Sequence, residues 1–113
     1  MSPITTHVLD IAKGKPAAGI PVSLDLQAPA GNWRGVGHGV TNQDGRVTDF
    51  LASEKLDAGT YWLTFDTSSY LQHNSGNAFF PLVTIVFAVQ DASQHYHIPL
   101  LLSPYGYSTY RGS

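Results

Sequence analysis

The chain has 113 residues, a length typical of one domain, and we treat residues 1–113 as a single unit. It contains no cysteine, which excludes disulfides and thiolate chemistry. Charged residues make up 12% of the sequence and the net charge is −2. This charge balance argues against nucleic-acid binding, because that function normally needs a basic patch.

The low proportion of charged residues also bears on the surface. Soluble domains carry about 25% charged residues, so much of this surface must be neutral or apolar. A small monomer with few charges is one interpretation. We favour coverage of part of the surface by other subunits, because apolar patches commonly mark interfaces.

The sequence shows no targeting or membrane segment. Residues 1–7 lack the basic and apolar regions of a signal peptide. No apolar run approaches the roughly 20 residues that a membrane helix needs. We therefore expect a cytoplasmic protein without membrane contacts, or a periplasmic one if a cleaved leader precedes this sequence.

The first half of the chain predicts four short strands separated by turns that contain glycine or proline. Apolar and polar residues alternate from Ile20 to Gln27, as in a strand with one buried face. From Trp33 to Val40, alternating glycines leave one face bare, so we expect something to approach that face closely. Residues 14–16 interrupt the first strand. The four predicted strands are residues 4–10, 20–27, 33–40 and 46–50, the last of them at a sheet edge.

The second half predicts four more strands and one short helix. A polar loop at residues 53–59 leads to a strand at 60–66. Residues 67–73 favour a helix, capped by Asp66 or Thr67 and ended by Gly76.

Residues 81–90 are almost continuously apolar, so we expect both faces of that strand to be covered. A final pair of strands is separated by Ser103-Pro104. Many short strands with little helix are typical of a β-sandwich, so we predict an all-β fold of two sheets.

The penultimate strand carries histidines on one face. Residues 96, 98, 100 and 102 share the apolar face, so His95 and His97 should point away from the core. Together with His7 these histidines could hold a metal ion, or they could be surface residues. Zinc needs at least three protein ligands and no cysteine is present, so we predict no metal and no other cofactor.

Two further features have both an ordinary and a chemical interpretation. Arg46 follows a tight turn, where an arginine is usually a solvated surface residue, but its planar fork also suits carbonyl or carboxylate oxygens. The end of the sequence, Tyr110 to Ser113, is either a frayed tail or a source of a hydroxyl and a carboxylate close together. A covalent serine mechanism is disfavoured, because there is no Gly-x-Ser-x-Gly elbow and no suitably placed aspartate.

Three stretches of the sequence stand in the same order as the motifs of a known family. They are Thr6-His7-Val8-Leu9-Asp10 with Gly14-Lys15-Pro16-Ala17, then Thr41-Asn42-Gln43-Asp44-Gly45-Arg46, and finally the stretch from His95 to Ser113. On these residues the chain resembles the transthyretin-like proteins, and more specifically their 5-hydroxyisourate hydrolase branch. The resemblance covers the chain from about Ile4 to Ser113.

The two branches of that family differ at the positions of interest. The transthyretin branch has a lysine where this chain has His7, a glutamate where it has Arg46, and a threonine where it has His97. It also continues past the position of Ser113. At each of these positions the chain resembles the hydrolase branch.

The resemblance implies a transthyretin-like β-sandwich of two four-stranded sheets, with one short helix after the fifth strand. It also implies a homotetramer, built as a dimer of dimers with sites at the dimer–dimer interface. Edge strands would extend the sheets across one interface. The faces that carry His7 and His97 would line a channel at the other.

The resemblance further implies hydrolysis of 5-hydroxyisourate to 2-oxo-4-hydroxy-4-carboxy-5-ureidoimidazoline, a step of urate degradation in purine metabolism. Water would attack a cyclic amide, with His7 and His97 handling its protons and Arg46 holding the carbonyl oxygens. Ser113 would bind substrate or water. The implied catalytic residues are His7, Arg46, His97 and Ser113, and the implied substrate-binding residues are these four with Tyr110 and Arg111.

Two alternatives come from other functional classes. The first is a non-catalytic, transthyretin-like carrier of a small aromatic ligand in the same channel. A carrier does not need His7, Arg46, His97 and Ser113 together, whereas a hydrolase of this kind does. The second is an adhesive β-sandwich module, in which the tail has no function.

Overall fold

A computed structural model of the chain describes residues 2–51 and 55–113. The predicted loop at 53–59 therefore lies partly outside the described residues. The elements, in chain order, are β1 Ile4–Asp10, β2 Lys15–Pro16, β3 Pro21–Gln27, β4 Trp33–Val40, β5 Arg46–Val47, β6 Gly59–Asp66, α1 Ser68–Ser75, β7 Leu82–Val89, β8 Tyr96–Ser103 and β9 Gly106–Thr109.

These strands form two sheets that pack face to face, which confirms the predicted all-β sandwich. The first sheet has the order β2-β1-β8-β9, with β5 also paired to β1, and the second has the order β4-β3-β6-β7. The short helix α1 lies between β6 and β7 in sequence. The pairing of β1 with β8 is parallel, and it places the first and the penultimate long strands side by side in the first sheet.

The first sheet contains one strand more than expected. Residues 14–16 were predicted to break the first strand. In the structure Lys15 and Pro16 pair with Asp10 and Leu9 as the two-residue strand β2. Gly14, with a φ of 67°, turns the chain back on β1, a conformation that glycine adopts without steric cost. Without β2, each sheet has the predicted four strands.

The core fills the space between the two sheets. On β8 the predicted core residues Tyr96, Ile98, Leu100 and Leu102 are all buried. They face apolar side chains of the second sheet, among which Phe65 is fully buried. Burial of each large side chain of this kind contributes about 1.5–3 kcal/mol to folding. The core thereby fixes which face of β8 points outward.

The bare face of β4 is explained by close contacts. A β-carbon at Gly37 would lie 2.1 Å from the carbonyl oxygen of Phe50, and one at Gly39 would lie 2.6 Å from Val47 Cγ1. The chain after Val47 crosses this face and buries Phe50 in the core. For this reason β5 ends at Val47 and is shorter than the predicted strand 46–50.

The expectation that both faces of the strand at 81–90 are covered is wrong for one chain. On β7, Val83 and Val89 are buried, whereas Leu82 and Val86 are 58% and 59% exposed. The reason is that the fold has two layers, so the side chains of β7 alternate between the core and the outside of the second sheet. Its outer face therefore has no covering layer among the described residues.

The helix forms where the sequence predicted it. Asp66 Oδ1 accepts hydrogen bonds from the backbone N–H and the hydroxyl of Ser68 at the first turn. Gly76, with a φ of 74°, ends the helix. Tyr70 donates its hydroxyl hydrogen to Asp10 Oδ2 across 2.7 Å, which ties the helix to β1. Among the described residues, no helix is long and apolar enough to cross a bilayer.

Candidate active site

Strand pairing brings the predicted histidines and arginine onto the outer face of the first sheet. His7 on β1 lies directly opposite Arg46 on β5. On the other side of β1, His97 of β8 lies opposite Thr5. Because side chains alternate along a strand, Thr5 and His7 share one face of β1, and that face points away from the core.

These side chains line an open groove of about 630 Å³. All of the predicted site residues except Arg111 line it. The histidine that sequence reasoning set aside, His95, lines it too. The full lining is Thr5, His7, Arg46, Thr48, His95, His97, Tyr110, Gly112 and Ser113.

The two central histidines lie side by side in this groove. The centroids of the His7 and His97 rings are 6.5 Å apart, and the ring planes are tilted by 36°. A single oxygen atom with two hydrogen bonds of about 2.8 Å spans a gap of this size. The pair is therefore suited to hold one water molecule or one substrate oxygen between two imidazoles.

His97 is held on more than one side. Thr5 Oγ1 and His97 Nδ1 are 2.8 Å apart, a hydrogen-bonding distance. The backbone N–H of Gly112 donates to the carbonyl oxygen of His97 across 2.8 Å. A β-carbon at position 112 would lie 2.6 Å from His97 Cδ2. Only glycine lets the tail lie so close to the imidazole. The tail backbone therefore packs directly against the His97 ring.

A tight turn places Arg46 beside His7. Asn42 Oδ1 accepts hydrogen bonds from the backbone N–H groups of Asp44 and Arg46, at 2.9 and 3.0 Å. Gly45 has a φ of 76°, and a β-carbon there would lie 2.4 Å from the carbonyl oxygen of Val8. Glycine is therefore required at position 45 for the turn to pack against β1.

The environment lowers the pKa of both histidines below the ordinary value of 6.5. Burial is the largest cause for each, and the positive charge of Arg46 is the second. For His97 the neighbouring His7 and His95 act in the same direction, and a hydrogen bond to the Thr5 backbone acts in the opposite direction. For His7 the backbone and the charge of Asp44 act in the opposite direction. At neutral pH the uncharged form of both imidazoles is therefore favoured, and that form has a nitrogen lone pair.

Arg111 lies outside the groove. Its guanidinium carbon sits 4.5 Å from the centre of the Tyr96 ring, and Nη2 donates to Gln94 Oε1 across 2.7 Å. The tail is extended, so Tyr110 and Gly112 face the groove while Arg111 faces the other way. The predicted contact of Arg111 with substrate has no counterpart within one chain. These contacts hold the tail against β8 and the loop before it.

Sequence reasoning missed Thr5 and Gly112. The sequence contained a signal for Thr5, because Thr5 and His7 are two positions apart on a strand and must share one of its faces. Gly112 gave no such signal, because its role depends on how the tail folds back onto β8.

Among residues 2–51 and 55–113, no group of three or more His, Asp or Glu side chains is positioned to hold a metal ion. The metal alternative at His95, His97 and His7 therefore gains no support from the structure.

Known proteins with similar sequences are 5-hydroxyisourate hydrolases. The chain is 45% identical to the 5-hydroxyisourate hydrolase of Mus musculus over 113 residues, which cover 99% of this chain and 96% of that protein. It is 44% identical over 115 residues to the enzyme of that name from Halalkalibacterium halodurans, with 97% of each chain covered.

Solved structures show the same relationship. The 5-hydroxyisourate hydrolase of Klebsiella pneumoniae matches with a TM-score of 0.83 and 38% identity, covering 97% of this chain and 98% of that one. Transthyretin from Sparus aurata matches with a TM-score of 0.91 and 28% identity, covering 99% and 97%. The model of the HIUase/Transthyretin family matches residues 4–112. The chain therefore belongs to the HIUase/transthyretin family.

Proposed function

We propose that this protein hydrolyses 5-hydroxyisourate to 2-oxo-4-hydroxy-4-carboxy-5-ureidoimidazoline, a step in urate degradation. The observation that carries the proposal is the meeting of His7, Arg46 and His97 with the tail residues Tyr110 and Ser113 in one groove. The names of the similar hydrolases support the same reaction.

The reaction opens a cyclic amide with water. The water oxygen forms a bond to the ring carbonyl carbon, and the bond from that carbon to nitrogen breaks. One water proton must leave the attacking oxygen, and the departing nitrogen must gain a proton. The uncharged forms of His7 and His97 are favoured at neutral pH, and the two rings lie on either side of the space for the water. One takes the proton, and the other holds the water or protonates the nitrogen.

Arg46 has a different role, because its guanidinium stays protonated throughout. It lies across from His7 and offers a planar fork of N–H donors to the substrate's carbonyl oxygens. Negative charge builds on the attacked carbonyl oxygen in the transition state. A fixed positive charge with aligned donors at that oxygen lowers the barrier. Ser113 and Tyr110, at one end of the groove, supply hydroxyls for the substrate.

The carrier alternative shares the fold, as the structure of sea bream transthyretin in complex with thyroxine illustrates. The residues that line the groove distinguish a hydrolase from a carrier. A carrier gains nothing from two neutral histidines that share a water-sized gap beside an arginine. The sequence of this chain at the groove therefore favours hydrolysis.

The reaction is tested directly by following the ultraviolet absorbance of freshly made 5-hydroxyisourate. We expect the protein to accelerate its decay above the spontaneous rate, with saturation as substrate is raised. Decay at the spontaneous rate would contradict the proposal. Saturable binding of the compound without acceleration would instead support the carrier.

The proposed assembly is a homotetramer, a dimer of dimers with the grooves facing each other across the dimer–dimer interface. The low charge content supports it, as do the apolar side chains at one edge of the sandwich. Phe79, which is 60% exposed, contacts Tyr105 with ring centroids 5.8 Å apart near that edge. Isolated apolar side chains are common on surfaces, but a cluster of aromatic rings marks an interface.

Assembly is tested by light scattering after size-exclusion chromatography. We expect a mass about four times the 12.2 kDa of one chain. Phe79→Glu should shift the protein to smaller species, because the charge would be buried at the interface. Val40→Glu, at a side chain that is equally exposed (59%) on the opposite edge of the second sheet, should leave the mass unchanged. A monomeric wild type would contradict the assembly.

A further inference from the structure

We propose that Thr5 is a positioning residue that holds His97 and directs its proton toward the groove. The inference rests on the hydrolase function proposed above. Thr5 Oγ1 lies 2.8 Å from His97 Nδ1, and the two residues are directly opposite each other in the parallel pairing of β1 with β8. Thr5 is only 3% exposed, so its hydroxyl is withdrawn from solvent.

The contact pairs a buried hydroxyl with a half-buried ring nitrogen. Within the described part of the chain, His97 Nδ1 is the recorded partner of the Thr5 hydroxyl. A buried hydroxyl without a partner costs free energy, as does a buried imidazole nitrogen. Each group therefore provides the hydrogen-bond partner that the other needs. The contact fixes the rotation of the imidazole about its Cβ–Cγ bond.

A hydroxyl is a distinctive partner for a histidine that handles protons. It can donate to Nδ1 when that nitrogen is unprotonated, and it can accept from Nδ1–H when that nitrogen carries a proton. A backbone carbonyl would only accept, and a carboxylate would favour the charged ring and raise its pKa. The Thr5 hydroxyl can therefore hold the ring in either state. A hydrogen bond to the Thr5 backbone raises the pKa of His97, but burial and the charge of Arg46 outweigh it.

The proposed role of Thr5 specifies the tautomer of the neutral ring. When Thr5 donates to Nδ1, the ring proton must be on Nε2. Nε2 has no recorded protein partner among the described residues, and the His97 ring lines the groove. Neutral His97 therefore presents an N–H to a bound molecule. This suits it to hold the attacking water or to protonate the departing nitrogen.

Gly112 limits the movement of the ring from another direction. A β-carbon at position 112 would lie 2.6 Å from Cδ2 of His97, so the tail backbone is in contact with the edge of the imidazole. The ring is held between the Thr5 hydroxyl and this backbone. It cannot turn away from Thr5 unless the tail moves.

The kinetic test compares Thr5→Val, Thr5→Ser and the control Thr6→Val. Valine has the shape of threonine without the hydroxyl, and serine keeps the hydroxyl. Thr6 lies next along β1 but points into the core, where its hydroxyl donates to the carbonyl oxygen of Ile98. A displaced catalytic group can cost about 10²-fold in rate, so Thr5→Val should lower kcat about 10- to 100-fold with little change in KM.

The comparison between variants separates positioning from stability. Thr5→Ser should restore most of kcat, and Thr6→Val should retain kcat even if the protein becomes less stable. Equal kcat for Thr5→Val and wild type would overturn the inference while leaving the proposed function intact. The inference would also fail if the serine variant were as slow as the valine variant.

A second measurement does not depend on turnover. Nitrogen-15 NMR of the histidine rings, without substrate and above the pKa of His97, reports which ring nitrogen carries the proton. We expect a protonated Nε2 and an unprotonated, hydrogen-bonded Nδ1 in the wild type, with a shifted Nδ1 signal in Thr5→Val but not in Thr6→Val. A protonated Nδ1 in the wild type would refute the inference. This result holds even if the protein fails to hydrolyse 5-hydroxyisourate.

Discussion

Replacing His97 or His7 with asparagine is expected to lower kcat for 5-hydroxyisourate hydrolysis by about 10²- to 10⁴-fold, the usual contribution of a positioned acid–base group. Asparagine is close in size to histidine and still forms hydrogen bonds, so the groove should keep its shape. It does not exchange protons near neutral pH. The loss should therefore appear in kcat, measured from the ultraviolet decay of the substrate.

The matched control for these variants is His73→Asn. His73 is exposed in the last turn of α1, remote in sequence from β1 and β8, and it does not line the groove. This variant should have wild-type kcat and KM. Wild-type turnover in His7→Asn or His97→Asn would show that the proposed role of that histidine is wrong.

The pH dependence of the wild type follows from the lowered pKa values. A histidine that takes up a proton from water works only in its neutral form. Burial and Arg46 hold the pKa of both His7 and His97 below 6.5. Activity should therefore be retained as pH falls through 6.5 and decline only at lower pH.

Replacing Arg46 should have the second largest effect on activity. It should lower kcat, and loss of its charge should also shift the pH dependence of activity. Loss of a donor at a developing oxyanion typically costs about 10²–10³-fold in kcat. We expect a decrease of this size in both Arg46→Gln and Arg46→Lys. Glutamine has no charge, and lysine does not reproduce the planar fork.

The pH profile distinguishes the two Arg46 variants. The charge of Arg46 lowers the pKa of His7 and His97. In Arg46→Gln both pKa values should rise, so the decline at acidic pH should begin at a higher pH than in the wild type. In Arg46→Lys the charge remains, and the decline should stay near its wild-type position.

Arg34→Gln is the control for loss of a positive charge. Arg34 is exposed on β4 in the second sheet and does not line the groove. This variant should match the wild type in kcat and in pH profile. If Arg46→Gln also matched the wild type in both, the groove would not be the site of reaction.

Strand alternation alone indicated only that His95 and His97 point outward, and the other residues of the candidate site were implied by the resemblance to the transthyretin-like family. The apolar face of residues 96–102 fixed His97 on the opposite face, and the structure confirms this arrangement. The same rule failed for Arg111 only because the extended course of the tail was not considered. Alternation turns Arg111 away from the groove that Tyr110 enters.

Other features could not be inferred, because they depend on the neighbours of a strand. The continuous apolar run at 81–90 predicted burial of both faces, but β7 lies in a two-layer sandwich and Val86 is exposed on the outer face of the second sheet. Hydrophobicity does not specify whether a further layer covers a sheet. Alternation shows that Thr5 shares a strand face with His7, but its contact with His97 could not be inferred, since the parallel pairing that brings them together spans most of the chain.

The parallel pairing of β1 with β8 also bears on folding. Thr5 and His97 are separated by 92 residues in sequence, so their contact closes nearly the whole chain into a loop. Contacts of such long range have a high entropic cost and form slowly. The second sheet, built from antiparallel neighbours, can form from shorter loops. The groove exists only when both ends of the sequence have come together. Recovery of catalysis during refolding should therefore report the closure of the first sheet rather than the collapse of the core.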